Sequence, residues 1–442
     1  MSTSIQTTAP SQQLSRNALI GGSVGNFIEW YEFSIYGYFA TVIAANFFSS
    51  GHSSPIEALI KTWAAFAIAF FFRPIGATMF GRLGDRIGRK PTLLIVLVLM
   101  VVSTSCIGLL PTYASVGVLA PILLTIVRMI QGLSAGGEFG GAVSLMTEFA
   151  PHGKRGLYGA WQSFTVALGL LAGALTAAIL SYVMSESTMN SWGWRIPFLM
   201  TLPLGLIALY LRLKLEESPD FEKTTSTKVE APVRKASTSE VAKAILLGVA
   251  RLMGWSAAGY TFLVVMPSYL QNSVGTSFRQ ALVATVVANL GFAATILPAG
   301  AYSDKIGRKP VMLTGTFLIV VLALPLMKVL QAEHSSLFAK SVAVFVAGAC
   351  VGLIAGPGPA MLSEMFPTSV RYTGLGLAYS LSNAVFSGSA GLIITSLISS
   401  TGNKNIPAYY VMITCAISFF ALNTLQNKDR LKALSDDSIG VK

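Results

Sequence analysis

The sequence predicts an all-α membrane protein, twelve transmembrane helices in two pseudo-symmetric six-helix bundles, on three observations. The 442 residues are 53% hydrophobic and only 11% charged, with a mean hydropathy of +0.64. A soluble domain carries about a quarter charged residues, so this much apolar surface cannot be screened from water. The apolar residues also gather in repeated runs of roughly 20, the length that crosses a bilayer as a helix. Strand-like alternation is absent, which argues against a membrane barrel. Third, the chain repeats itself. The turn Gly81-Arg82-Leu83-Gly84-Asp85-Arg86-Ile87-Gly88-Arg89-Lys90-Pro91 recurs as Gly300-Ala301-Tyr302-Ser303-Asp304-Lys305-Ile306-Gly307-Arg308-Lys309-Pro310. The offset is 219 residues, and no gap is needed. A second echo, Glu148-x-x-Pro151-x-x-x-Arg155, returns as Glu364-x-x-Pro367-x-x-x-Arg371 at an offset of 216. Parallel repeats of this kind place a substrate site near the bilayer midplane, between the halves.

Residues 1–19 are a polar, cytoplasmic N-terminal segment without the apolar core of a removable signal. The first bundle covers 20–214, with apolar runs near 20–47, 57–80, 92–111, 118–147, 157–183 and 196–214. The stretch 215–240, rich in Glu, Ser, Thr, Lys and Pro, reads as a cytoplasmic linker. The second bundle covers 241–425, with runs near 242–270, 281–301, 311–330, 340–363, 373–399 and 407–425. Residues 426–442 form a short charged tail without sustained heptads.

The net charge of +12 would suggest nucleic acid in a soluble protein. Here the cations cluster in alternate loops, at Arg82, Arg86, Arg89 and Lys90, at Lys154 and Arg155, and at Lys305, Arg308 and Lys309. The loops at 48–56 and 112–117 carry none. That asymmetry puts both termini in the cytoplasm, with the bilayer rather than nucleic acid as partner. Cys106, Cys350 and Cys415 lie in apolar runs and read as small hydrophobes. His52, His152 and His334 fall in loops and make no metal set. Gly21-Gly22-Ser23-Val24-Gly25 and Gly132-Leu133-Ser134-Ala135-Gly136 satisfy a hydrolase elbow pattern. That pattern requires a strand-turn-helix context with a histidine and an acid in range. Both strings sit in helical runs, so no catalytic set and no cofactor are expected.

These residues resemble the major facilitator superfamily, whose signature turn matches 81–91 and whose pseudo-symmetric copy matches 300–310. More narrowly, the chain is similar to the metabolite:proton symporters, which include α-ketoglutarate, citrate, shikimate and proline/betaine carriers. The matching text is Gly25-Asn26-Phe27-Ile28-Glu29-Trp30-Tyr31-Glu32-Phe33, Phe72-Arg73-Pro74-Ile75-Gly76, Arg128-Met129-Ile130-Gln131-Gly132-Leu133-Ser134-Ala135-Gly136-Gly137-Glu138 and Trp192-Gly193-Trp194-Arg195-Ile196-Pro197-Phe198. The resemblance implies alternating access and a gating role for Asp85, Gly88 and Arg89, with Asp304 and Arg308 by symmetry. Glu148, Arg155, Glu364 and Arg371 are candidates for the same latch. The fifth run holds Gly169-Leu-Leu-Ala-Gly173 but no proline. It departs from the glycine-proline signature of family antiporters and favours symport.

A guanidinium inside hydrocarbon is paired or faces a wet cavity. Arg73 and Arg128 therefore read either as substrate contacts, matched to a carboxylate, or as structural ion pairs. Glu29, Glu32 and Tyr36 share one helix face. Two acids in a spanning helix need a partner or a proton, so Glu29 or Glu32 is the candidate proton carrier and Glu138 the next. Asn26 and Gln131 stand one turn from Glu29 and Arg128 and are candidate substrate contacts. Gly132, Gly136 and Gly140 recur every four residues, the spacing for close helix packing. Trp161 and Gln162 are weaker cavity candidates. In the second half Arg251, Trp255 and Tyr260, and the pair Tyr379 and Asn383 on one face, could wall a small solute or simply pack. The expected function is proton-driven import of a small carboxylate-bearing metabolite by a monomer in the inner membrane. A di- or tricarboxylate is preferred, because the tail lacks the coiled coil of osmosensing members. Proline or glycine betaine uptake is the alternative, and a facilitator or exporter is a further one.

Overall fold

The computed structural model describes residues 12–49, 54–87, 89–148, 150–151, 153–213, 238–366 and 371–425. Among the described residues the chain is helical, without strands, and twelve long spans can be followed. In the first half they are α1 (Gln12–Tyr38), α2 (Pro55–Ile87), α3 (Arg89–Leu109), α4 (Leu119–Ala135, continued as Glu138–Glu148), α5 (Arg155–Val183) and α6 (Arg195–Leu199, continued as Thr201–Leu213). In the second they are α7 (Thr238–Tyr260, extended to Val274), α8 (Phe278–Ile306), α9 (Arg308–Gln331), α10 (Leu337–Ala355, continued as Gly358–Met365), α11 (Arg371–Ser382, extended to Thr401) and α12 (Ile406–Asn423). Eleven are long and apolar enough to cross a membrane. The exception is α1, which at 27 residues has the length but whose apolarity is diluted by Asn26, Glu29 and Glu32.

Caps and turns follow from local chemistry. Ser277 and Ser336 accept bonds from Gln280 N and Ala339 N to start α8 and α10, satisfying donors that a helix end leaves open. Gly307 separates α8 from α9 at φ +98°, a conformation that only glycine adopts without strain.

The repeats are visible as packing. The glycines of α4 recur in α10 as Gly348, Gly352 and Gly356, at the offset of 216 already seen. A Cβ on Gly132 would stand 1.8 Å from Ala69 O of α2, and one on Gly348 would stand 1.9 Å from Ala288 O of α8. The expected close approach is therefore present, in both halves. The halves meet along two equivalent seams, α5 on α8 and α2 on α11. Gly156 packs on Gly300 and Ser303 in the first seam, and Gly388 and Gly391 pack on Phe70 and Trp63 in the second.

Candidate functional site

The interior of the first half holds three acids and three arginines, all buried. Glu29 of α1 lies 3.1 Å from Arg73 of α2, with side chains only 2% and 3% exposed. The Arg73 guanidinium is sandwiched by Phe33 and Phe70, 4.3 and 4.2 Å from their ring centroids. Glu138 of α4 pairs with Arg212 of α6, which also donates to Leu93 O at 2.9 Å. Removing one partner of such a pair strands a charge in low dielectric, so these contacts tie four helices together.

The third acid is reached through intermediates. Arg128 donates to Gln131 Oε1, Gln131 Nε2 donates to Thr104 Oγ1 at 2.7 Å, and Thr104 lies 2.6 Å from Glu32 Oε2. The chain runs from α4 through α3 to α1. Arg128 also rests on Tyr36, 4.1 Å from its centroid. With every member ionised the three acids and three arginines sum to zero charge. Glu29 Oε2, Glu32 Oε1, Arg73 Nε and Arg128 Nε and Nη2 are buried without a hydrogen-bond partner among the described residues. These atoms keep capacity for a proton or a ligand.

A cavity lies between the halves, with about 420 Å³ of empty space counting its mouth. Trp30 of α1 and Ser163, Val166 and Leu170 of α5 form one wall. Trp255, Ser256, Tyr260 and Val264 of α7, Phe292 of α8 and Tyr379, Asn383 and Ser387 of α11 form the other. Both α7 and α11 widen into a π-turn here, at Thr261–Val265 and Asn383–Gly388. Such turns re-aim side chains and favour functional sites. Arg73 sits one aromatic layer behind this wall. Tyr260 packs edge-on against Phe70 at 5.2 Å, and Phe70 covers the guanidinium.

The halves touch at both ends of the cavity. At the end carrying the basic turns, Asp304 accepts from the Gly156 and Leu157 amides at the start of α5, at 2.8 and 2.9 Å. Arg308 holds that aspartate at 2.6 Å and Glu364 at 2.9 Å. A carboxylate on a helix N-terminus is favourable, and here it bridges the two halves. At the opposite end Arg279 of α8 donates to Ser181 O of α5 at 2.8 Å, and Asn289 donates to Tyr38 at 3.2 Å.

The structure thus gathers the sequence candidates into three groups. Arg73, Arg128, Gln131, Tyr36, Glu29, Glu32 and Glu138 form the polar interior of the first half. Tyr379 and Asn383, with Trp255 and Tyr260, line the cavity. Asp304, Arg308 and Glu364 meet at the α5 N-terminus, which Arg155 begins. Asn26 lies elsewhere, binding α1 to α5 through Gln162 O at 3.0 Å and Thr165 Oγ1 at 2.6 Å. Trp161 donates to Ser23, and Arg251 donates to Thr424, the residue that caps α12. Asp85, Gly88, Arg89, Glu148 and Arg371 lie outside the residues whose side chains are described, as do His52 and His152. Sequence reasoning missed Trp30, Ser163, Phe292 and Ser387. Trp30 carried a signal, an aromatic ring beside an intramembrane acid; the others look like any residue of an apolar run.

Comparison with known proteins bears on what this arrangement carries. Residues 19–232 match the family model described as "Sugar (and other) transporter", and residues 244–433 match that of the Major Facilitator Superfamily. The ectoine/proline transporter ProP of Corynebacterium glutamicum is 35% identical over 92% of this chain and 83% of its own. The chain belongs to the major facilitator superfamily. The proline/betaine transporter of Escherichia coli strain K12 is 35% identical over 93% of this chain and 83% of its own. OusA of Dickeya dadantii, a glycine betaine/proline/ectoine/pipecolic acid transporter, is 34% identical over 91% of this chain and 81% of its own. In fold, the chain is similar to the proton:xylose symporter XylE bound to 6-bromo-6-deoxy-D-glucose, with TM-score 0.78, 18% identity and coverage of 96% and 99%. This superfamily member is a multi-pass membrane protein whose relatives are small-molecule transporters.

The expected di- or tricarboxylate substrate does not hold. The relatives are named for proline, betaine and ectoine, which matches the zwitterion alternative. Charge supplies the physical reason. The cavity lining includes no Arg or Lys, and the three buried arginines of the first half are balanced in number by three buried acids. A dianion or trianion would enter without counter-charge, whereas a zwitterion adds none. The lack of heptads in the tail, the ground for preferring organic acids, concerns the tail and not the pocket.

Proposed function

We propose that this protein imports a small zwitterion of the proline, glycine betaine or ectoine class together with a proton, across the inner membrane with both termini in the cytoplasm. The observation that carries the reading is the cavity between the halves, walled by aromatic rings and backed by a charge-balanced polar interior. Aromatic faces attract quaternary ammonium and related cations. Arg73 is the cation placed to attract a carboxylate from behind Phe70.

The coupling follows from the Glu29–Arg73 pair. A proton on Glu29 leaves the Arg73 charge unmatched, and a substrate carboxylate in the cavity matches it. Proton and substrate therefore favour one another's binding, and that coupling is reciprocal. Glu32, with one uncommitted oxygen, is the second candidate carrier and Glu138 the third. Asp304, Arg308 and Glu364 latch the cytoplasmic end, with the turn at Asp85, Gly88 and Arg89 and the residues Glu148, Arg155 and Arg371 in the same device. Alternating release of the two ends moves the solute.

Radiolabelled uptake into proteoliposomes with an imposed pH gradient tests the reading. Glycine betaine and proline are expected to accumulate, an uncoupler to abolish accumulation, and citrate and α-ketoglutarate not to compete. Glu29→Gln is expected to retain exchange of internal for external substrate while losing accumulation. Accumulation indifferent to the gradient would mark a facilitator and end the proton-coupled reading.

A further inference from the structure

One of the side chains lining the cavity carries a hydroxyl with no visible employment. Tyr260 is buried, lines the cavity, and its hydroxyl has no hydrogen-bond partner among the described residues. The serine hydroxyls of the same lining are committed. Ser163 donates to Ala355 O at 2.7 Å, Ser387 to Asn383 Oδ1 at 2.8 Å, and Ser256 pairs with Ser382 at 2.9 Å. A buried hydroxyl left unpaired is unfavourable until a partner arrives. The Tyr260 ring is also the layer next to the Arg73 sandwich, packing on Phe70 and 5.8 Å from Trp30. Trp255, five residues before Tyr260 on α7 and on the same wall, packs against Tyr379 at 5.9 Å.

We infer that Tyr260 is the specificity-determining donor of the site, giving its hydroxyl hydrogen bond to the substrate carboxylate, while Trp255 and Tyr379 hold the cationic end. This rests on the zwitterion reading and deepens it by assigning the two poles of the substrate to different side chains of the same wall. The donor sits where Arg73 adds long-range attraction without contact. A solute with a cation but no carboxylate would fill only half of the site.

The test is Tyr260→Phe in the full chain, reconstituted beside wild type. The ring and its packing are kept and only the hydroxyl is lost. The KM for glycine betaine and for proline is expected to rise about tenfold, the scale of one hydrogen bond to a charged group, with kcat retained. Inhibition by choline, which has the cation without the carboxylate, is expected to stay as in wild type. Melting temperature in detergent is expected to hold or rise, because an unpartnered hydroxyl has been removed. Trp255→Leu is expected to weaken choline and betaine alike. An unchanged KM in Tyr260→Phe, a parallel loss of choline inhibition, or a fall in melting temperature that reveals a structural bond would each overturn the assignment. Failure of wild type itself to accumulate proline or glycine betaine would instead overturn the reading on which it stands.

Discussion

Arg73 shows how one side chain serves packing and charge together. Its guanidinium is clamped between Phe33 and Phe70 while it faces Glu29. Arg73→Met keeps much of the packing volume but leaves Glu29 buried and unmatched. It is expected to lower stability by about 3–5 kcal/mol, read as a large drop in melting temperature. Adding Glu29→Gln removes the stranded charge and is expected to recover most of the loss without restoring accumulation. A double variant that melts as low as the single one would show that the aromatic clamp dominates. These residues were legible in the sequence, because an ionisable group in a twenty-residue apolar run stands out on cost alone. Their partners were not. Nothing in the spacing distinguishes Arg73 from Arg128 as the mate of Glu29. The link from Arg128 to Glu32 passes through Thr104, a threonine that reads as an ordinary member of α3.

At the scale of elements, the glycines of α4 were readable and the widened turns of α7 and α11 were not. Gly132, Gly136 and Gly140 announce a helix seam by their spacing, and the structure places Gly132 against the backbone of α2. Gly132→Ala puts a methyl group where only 1.8 Å separates it from a carbonyl oxygen. The two helices must part, and the variant is expected to lose about 1–3 kcal/mol in a melting experiment. Gly376 is the contrast, because a Cβ there meets nothing within 4 Å, and Gly376→Ala is expected to melt as wild type or slightly higher. The turns at Thr261–Val265 and Asn383–Gly388 escaped because α7 is almost wholly apolar there and the small polar residues of α11, Ser380, Ser382, Asn383 and Ser387, are buried with the apolar ones and mark no solvent face. With polar and apolar positions alike buried, a slip of one residue per turn leaves no trace in periodicity. The cavity lining is built on those turns and on five different helices, so its membership emerges only once the seams have formed.

For the whole molecule, the repeat explains the architecture, and its breaks make the two halves chemically different. Position 73 of the first half corresponds, at the offset of 219, to Phe292 in the second. An arginine in the charged half is thus matched by a cavity-lining ring in the other. Division of labour follows, with ionised groups in α1 to α6 and aromatic walls largely in α7 to α11. The halves are joined at both ends of this seam, by Asp304 on the α5 N-terminus and by Arg279 on the α5 C-terminal turn. The two contacts lie at opposite ends of the same seam between α5 and α8. A rocking carrier must open one while the other stays shut, so the two should act on a single equilibrium in opposite directions. Asp304→Asn weakens the first latch and removes its charge from the helix N-terminus. Arg279→Ala removes the second. With one pair of spin labels across each end, Asp304→Asn is expected to lengthen the distance at the basic-turn end and leave the other closed. Arg279→Ala is expected to do the reverse, and combining the two to return the populations toward wild type. If both variants lengthened the same end, the seam would be hinging as a unit, and the opposition between the latches would be wrong.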